Sequence, residues 1–457
     1  MKKPLRLLVI GGVAAGTKAS AKARRDNPSM EITVVTEEPY ISYAGCGLAY
    51  YIGGIVERRE SLFARSPEEF REKQNIAILL RHRAEAISTY DQTVRVTDLE
   101  SGASFVFSYD RLLIATGSTA VIPNLPGVAL EGVHTLHGIT DADVIKARLD
   151  SGAVRDASLL GGGFIGIEAS ENLQHRGVAV TLFEAADRLM PRLYDPEMSK
   201  LIREHMEAKG VRILTGATVE RFAAGPDGTV RSLFAGGKEQ SCDLAVIAVG
   251  VRPNVRLARD ARITIGPTGA IKTDARMETS IRGVFAAGDC AETVHLVSGK
   301  PYWFPLGSTA NKQGRVAGAN IAGGRKTFDG VLGTSILKVF DKTAGRTGLT
   351  IAESAEAGFN PVAVTITAPT HAPYYPGAGT ITLALVADRG SHRLLGAQAF
   401  GDSTVDKVID TAATALTGKV SLAELTNLDV SYSPPYAAAL GTVLVAAGVL
   451  EKKLGIK

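Results

Sequence analysis

Two stretches decide how this chain reads: Leu7-Leu8-Val9-Ile10-Gly11-Gly12-Val13-Ala14-Ala15-Gly16 and Ser158-Leu159-Leu160-Gly161-Gly162-Gly163-Phe164-Ile165-Gly166. Each is a short apolar run that breaks into a glycine-rich turn. A helix-like stretch follows, to Arg25 in the first and through Gln174 in the second. A further apolar run then closes the unit, Glu31 to Val35 ending near Glu37, or Val178 to Phe183 ending at Glu184. Strand, glycine turn, helix, strand and acid form a nucleotide-binding layout. The glycines admit a pyrophosphate close to the backbone, the helix N-terminus offers it free N–H groups, and the acid accepts ribose hydroxyls. One such unit is weak evidence, because glycine turns also recur for packing; two in one chain are strong. The units assign Gly11, Gly12, Ala14, Ala15, Gly16 and Glu37 to one dinucleotide, and Gly161, Gly163, Phe164, Ile165, Gly166 and Glu184 to another.

Both halves end alike, in Arg111-Leu112-Leu113-Ile114-Ala115-Thr116-Gly117 and in Leu244-Ala245-Val246-Ile247-Ala248-Val249-Gly250. A buried strand that ends in glycine lets the chain cross close to a bound nucleotide, which brings Thr116, Gly117 and Gly250 to the sites. A third run, Val284 to Ala287, leads into Gly288-Asp289, where a carboxylate is placed to accept a ribityl hydroxyl.

Cys46 stands in Ser42-Tyr43-Ala44-Gly45-Cys46-Gly47-Leu48-Ala49-Tyr50-Tyr51, between the two glycine units, and the other cysteines are Cys242 and Cys290. A dithiol oxidoreductase needs a second sulfur a few residues away. Cys46 must therefore cycle with something other than a neighbouring protein thiol, and a thiol between two dinucleotide sites points to a flavin-linked redox enzyme.

The 457 residues exceed one hydrophobic core and divide into roughly three domains by a ~150-residue prior. Lysines and arginines are spread along the chain and the net charge is +4, which gives no concentrated basic stretch for nucleic acid. Three unpatterned cysteines argue against a secreted disulfide scaffold and for a reducing compartment. Met1-Lys2-Lys3 before Leu5 to Ile10 imitates a signal peptide, but the run is short and enters the first glycine turn, so a buried strand is the better reading. The stretch from Ala437 to Leu450 falls short of the ~18 apolar residues of a membrane helix. These features imply a cytoplasmic protein, without a membrane or nucleic-acid partner and without a metal site.

Beyond about residue 326 the glycine units stop. Thr334 to Phe340 and Thr380 to Ala387 read as strands, and Thr404 to Leu416 and Ser421 to Leu425 as helices, in an α+β domain without its own nucleotide. Its tyrosines Tyr374, Tyr375, Tyr432 and Tyr436 lie beside prolines in loops, where interface or surface packing is the ordinary role.

Together these motifs, with Gly250-Val251-Arg252-Pro253-Asn254 and Gly288-Asp289-Cys290-Ala291, resemble the pyridine nucleotide-disulfide oxidoreductase superfamily over essentially the whole chain. The resemblance implies an α/β protein with two Rossmann-like domains and a C-terminal α+β dimerisation domain. Residues 1–118 and 251–325 would bind FAD, 119–250 would bind NAD(P)H, and 326–457 would form a homodimer. Ser42-x-x-x-Cys46-Gly47-Leu48 with Tyr50-Tyr51-Ile52-Gly53-Gly54 is similar to the single-cysteine branch of coenzyme A-disulfide reductases, NAD(P)H sulfur or polysulfide reductases, and NADH oxidases and peroxidases.

The oxidases and peroxidases usually carry a histidine in the first glycine loop, where this chain has Ala14. The coenzyme A enzymes pair the cysteine with basic residues on the first helix, matched by Lys22, Arg24 and Arg25, and with tyrosines of the second subunit, matched by Tyr374 or Tyr375 and by Tyr436. Ser42 joins the substrate side. Glu168 is implied near the nicotinamide, with Phe164 or Ile165 as a steric gate. Glu184 favours NADH, and Arg188, four residues on, leaves NADPH open as a second donor. The implied activity passes electrons from NAD(P)H through FAD to Cys46 and on to a disulfide, persulfide or polysulfide, with coenzyme A as one thiol. A Cys46 sulfenic acid in an oxidase or peroxidase, and a redox-regulated flavoprotein interaction module, are the alternatives. Burial would raise the Cys46 pKa, so a helix N-terminus and the flavin surroundings are expected to favour the thiolate instead. The chain departs from the family at Thr36, often glutamate, at Gly45, often asparagine, and at Ala437-Ala438-Ala439-Leu440-Gly441, commonly a charged, proline-containing turn.

Overall fold

The computed structural model describes residues 3–456. Strand β1 (Arg6–Ile10) enters helix α1 (Ala14–Asp26), and strand β2 (Glu31–Val35) follows. These strands join a five-stranded parallel sheet in the order Val284–Ala286, Arg111–Ile114, β1, β2, Ile76–Leu79. Leu7, Val9, Val34, Leu112 and Ile114 are almost fully buried, because a parallel sheet is covered on both faces and its strands read as continuous apolar runs.

The second sheet repeats the plan, in the order Arg212–Thr215, Ala179–Glu184, Asp156–Leu160, Leu244–Ile247, Val133–Thr135. Val284–Ala286 returns to the first sheet after the second is complete, so the first sheet draws strands from both sides of the insertion. A two-stranded ribbon, Ser118–Ala120 against Val251–Pro253, carries the chain out and back.

The third sheet is antiparallel, in the order Ser335–Val339, Lys342–Gly348, Leu394–Gly401, Thr380–Asp388, Pro361–Pro369. Helices Val405–Gly418 and Thr442–Leu454 pack on it, through a core containing Leu383, Leu385, Ile409, Ala446 and Leu450. The apolar run read near the C-terminus is thus a covering helix of this domain. No helix among the described residues is long and apolar enough to cross a membrane.

The two other domains are fastened to each other and to the third. Helix α2 (Leu48–Ile52) packs between the first two domains, and Arg59 pairs with Asp143 at 2.8 Å while its guanidinium lies 4.4 Å over the Tyr40 ring. Helix α3 (Phe164–His175) reaches the third sheet, where Glu171 accepts from the Phe340 amide at 2.7 Å and from Lys338. A single hydrophobic core runs through Ile52, Leu173, Met198, Leu337 and Phe400.

Candidate active site

The two glycine turns are built the same way. Gly11 has φ +112° and Gly161 has φ +108°; a Cβ at either would fall 2.0 Å or 2.4 Å from a carbonyl oxygen, that of Ala115 or Ala248. Gly11 N–H donates to Val35 O at 2.9 Å, and Gly161 N–H donates to Phe183 O at 2.7 Å. The close carbonyls force glycine at both positions, at the entry to α1 and α3. Neither helix has a side-chain N-cap or an acid in its first turn, so both leave unpaired N–H groups for an anion.

The same register aligns the ends of β2 and Ala179–Glu184. Glu184 accepts the Gly162 N–H at 2.7 Å and the Ala186 N–H at 2.8 Å, which sets its carboxylate beside the second glycine turn. The matching residue in the first half is Thr36, which packs beside Gly12. Glu37 is exposed, whereas Glu38 is half-buried and accepts from the Tyr43 hydroxyl at 3.3 Å. Burial raises the Glu38 carboxyl above its ordinary value. Glu38 is a carboxylate near this site that the sequence reading passed over in favour of Glu37.

Arg188, expected as a partner for a 2′-phosphate, is engaged by Asp187 at 3.0 Å and by the Pro191 carbonyl at 3.2 Å. Thr116 and Gly117 form the crossing point of the two domains. Thr116 donates to Asn254 O at 2.7 Å, and the Asn254 amides donate to Thr116 O and Gly117 O. At the third motif, Asp289 accepts from Ser118 Oγ at 3.1 Å, and its carbonyl accepts from the Trp303 indole at 2.7 Å. Gly288 N–H donates to the buried Gln313 side chain at 2.8 Å, which fixes the Gly-Asp turn. Two uncapped helix N-termini, glycine cradles that a Cβ would fill, and carboxylates at Asp289 and Glu184 fit FAD on the first half and a nicotinamide dinucleotide on the second.

Cys46 occupies a single 3₁₀ turn, Gly45–Gly47, that leads into α2. Its sulfur faces the start of helix α4 (Gly307–Ile321), where a Cβ on Gly307 would lie 3.8 Å from Sγ. Cys46 is exposed, but Cys242 and Cys290 are buried. The protein packed around Cys46, with Glu168 and Asp289 next, pushes its thiol above the ordinary value. Burial, the largest of these causes, acts in the expected direction, and the chain's own carboxylates add to it.

Glu168 projects from α3 and accepts from the Tyr50 hydroxyl at 3.3 Å. Burial pushes Glu168 up to about 7, partly offset by the Tyr50 hydrogen bond, with Glu171 adding to the rise.

Helices α1 and α4 meet closely; a Cβ on Gly314 would fall 2.5 Å from Ala15 O, and one on Gly318 2.4 Å from Ala19 O. Lys22 pairs with Asp26 at 2.7 Å, and Arg25 is exposed. Arg24 is spent on structure, donating to Pro28 O and Asn75 O. Lys18 on α1, and Lys312 and Arg315 on α4, are exposed cations that the sequence reading missed. Lys18 stands four residues before Lys22, a helical spacing that could have found it; the α4 residues become neighbours only through the fold.

Ser42 has φ +54°, and its N–H donates to Gly12 O at 2.8 Å. The loops bearing Tyr374, Tyr375 and Tyr436 meet on the third domain, where Ala372 N–H donates to Pro434 O. Tyr375 stands edge-on to His371, with ring centroids 5.8 Å apart. All three tyrosines are exposed, and among the described residues no hydrogen bond or ring contact ties them to Cys46.

Residues 5–314 match the model of the pyridine nucleotide-disulphide oxidoreductase family, and residues 334–444 match its dimerisation domain. An NAD(P)H sulfur oxidoreductase (CoA-dependent) of Pyrococcus abyssi is 36% identical over 97% of this chain and 98% of that protein. A protein of Methanocaldococcus jannaschii named NADH oxidase is 32% identical over 99% of this chain and 100% of its own. The solved NAD-dependent persulfide reductase from A. fulgidus is 40% identical, with a TM-score of 0.96, covering 99% of this chain and 84% of that one. With two dinucleotide folds, a lone accessible thiol and the dimerisation sheet all in the family's order, this chain belongs to the pyridine nucleotide-disulphide oxidoreductases.

Proposed function

We propose that the chain is one subunit of a homodimeric flavoprotein that uses NADH, and NADPH less well, to reduce a disulfide, persulfide or polysulfide at Cys46, with coenzyme A as one thiol. The observation that carries this reading is the isolation of Cys46: the other two thiols are buried, so the sulfur it exchanges with comes from outside the chain. The exposed Lys18, Arg25, Lys312 and Arg315 on α1 and α4, with the half-buried Lys22 beside them, suit a thiol that carries phosphates. The names of the Pyrococcus and A. fulgidus relatives support the same substrate class.

Bound FAD would relay two electrons from the nicotinamide to sulfur. Gly11 to Gly16 and the α1 N-terminus would hold its pyrophosphate, with Asp289 on the ribityl chain. Gly161 to Gly166 would hold the dinucleotide donor, with the Glu184 carboxylate at its ribose. Cys46, as thiolate, attacks one sulfur of the substrate; the S–S bond breaks, a thiolate leaves, and a mixed disulfide forms at Cys46. Tyr436, with Tyr374 or Tyr375, would come from the second subunit and protonate that leaving thiolate. An oxidase reading, through a Cys46 sulfenic acid, is disfavoured by Ala14 in the first glycine loop.

Cys46→Ser tests the assignment. NADH-dependent reduction of coenzyme A disulfide should vanish while NADH still bleaches the flavin. Wild-type disulfide turnover in the variant would move the chemistry elsewhere.

A further inference from the structure

A largely polar row crosses the third sheet. Ser335, Arg346, Gln398, Ala384 and Thr365 stand opposite one another on its five strands and share one face. Arg346 and Gln398 are each 1% exposed, and polar groups buried so deeply persist only with partners. The row finds them in the other domain, on the segment from Arg192 to Glu197. Arg346, paired with Glu353 at 2.9 Å, donates to Arg192 O at 3.4 Å. Gln398 accepts the Asp195 N–H at 2.7 Å and donates to the Asp195 carboxylate. The Ile351 N–H donates to the same carboxylate at 3.2 Å, and Thr365 donates to Glu197 at 2.8 Å. Asp195 sits at the N-cap of helix Pro196–Ala208, yet its side chain makes no capping hydrogen bond. An aspartate there ordinarily caps its own helix; this one is spent on joining two domains.

Asp195 also ends the loop that begins at Glu184. Within it Met190 takes φ +47°, a left-handed conformation that a side chain adopts only where its surroundings impose it. The Met190 N–H donates to Gly162 O at 3.0 Å, and the Leu193 and Tyr194 N–H groups donate back to Met190 O at 2.9 and 3.1 Å. Leu189 lies over the glycine turn, where a Cβ on Gly162 would fall 2.6 Å from it. The loop is thus fixed at one end by the second glycine turn and at the other by the polar row. We propose that Gln398 and Arg346 are positioning residues for the nicotinamide donor: through Asp195 and Arg192, the dimerisation sheet sets the loop that shapes the dinucleotide site. The row acts on how tightly the donor is held and leaves hydride transfer alone. The inference rests on the reading that the second glycine turn holds the dinucleotide, and it is independent of the sulfur substrate.

Removing Arg346 would strand Glu353, so Gln398 carries the test. Gln398→Glu keeps an acceptor for the Asp195 amide but sets one carboxylate against another, and Asp195→Asn in the same chain restores a donor between them. Flavin-loaded enzyme is mixed anaerobically with NADH in a stopped flow. The half-saturating NADH concentration and the limiting rate of flavin bleaching are read, beside flavin content and melting temperature. Gln398→Glu should raise half-saturation about tenfold, the scale of one lost charged hydrogen bond, with limiting rate and flavin content unchanged. The double variant should return towards the wild-type value. Asp195→Asn alone should give a smaller rise, and it keeps the test in place where Gln398→Glu does not fold. Unchanged half-saturation in the folded variants, a double variant no better than Gln398→Glu, or a limiting rate and flavin content that fall together would overturn the inference. No bleaching of the wild type by NADH or NADPH would overturn the dinucleotide reading itself, and the inference with it.

Discussion

Glu184 receives the Gly162 amide at 2.7 Å, while Thr36 fills the corresponding place beside Gly12 in the other half of the molecule. Only the second glycine turn therefore keeps a carboxylate at the end of its strand, and Arg188 beside it is already paired with Asp187. Glu184→Ala should weaken NADH by about 1–3 kcal/mol, the scale of a charged hydrogen bond, and narrow the gap to NADPH. Steady-state KM values for both donors check this; an unchanged ratio would place Glu184 away from the ribose.

Asp289 is half-buried, hydrogen-bonded to Ser118, and set in a turn fixed by Gln313. Asp289→Ala should leave the fold intact and loosen FAD by about 10- to 100-fold, again on the scale of a charged hydrogen bond. Flavin fluorescence released on dilution measures the loss, and tight flavin in the variant would remove Asp289 from the ribityl site.

How much of this was legible in advance follows the physics of each segment. Buried parallel strands are continuous apolar runs, so Glu31 to Val35 was read with the bounds it has in the fold. Lys342–Gly348 escaped because a central strand that meets a helix sheds bulk: a Cβ on Gly345 would fall 2.8 Å from Ile409. The glycines that admit the helix also erase the strand pattern. In the site, Cys46, Asp289 and Glu184 are marked by local motifs. Tyr50 gains its meaning only from Glu168, which the fold alone brings near it, and Lys312 and Arg315 only from α1.

Burial raises Glu168 from 4.5 to about 7 in the folded chain. A carboxyl with a raised pKa costs stability above its unfolded value, with the full cost reached once pH exceeds the folded value. Glu168→Gln should therefore melt higher than wild type at pH 8, by at most on the order of 3 kcal/mol in stability, and nearly alike below pH 4. Equal melting temperatures at both pH values would mean that the carboxylate is well solvated.

Among the described residues the tyrosine loops of the third domain make no tie to Cys46, and in the proposed dimer the second subunit would supply them. Cys46→Ser and Tyr436→Phe chains, each expected to lose most disulfide reductase activity, should recover about one intact site per hybrid dimer when mixed after unfolding and refolding, by two-fold complementation. No recovery would place both residues of each site in one chain, and full activity of Tyr436→Phe alone would remove that tyrosine from the chemistry.

The contact of Glu171 with Phe340 and Lys338 has a further consequence for how the dinucleotide gets in and out. One turn of α3 carries Glu168 to the Tyr50 hydroxyl while the next is riveted to the edge of the dimerisation sheet, and Arg59 with Asp143 ties the opposite flank. A domain fastened on two sides and sharing its core with a third body resists opening like a jaw. The proposed nicotinamide site would then be reached by a side chain swinging aside at its mouth, with Phe164 or Ile165 at the helix start as the expected gate, rather than by movement of whole domains.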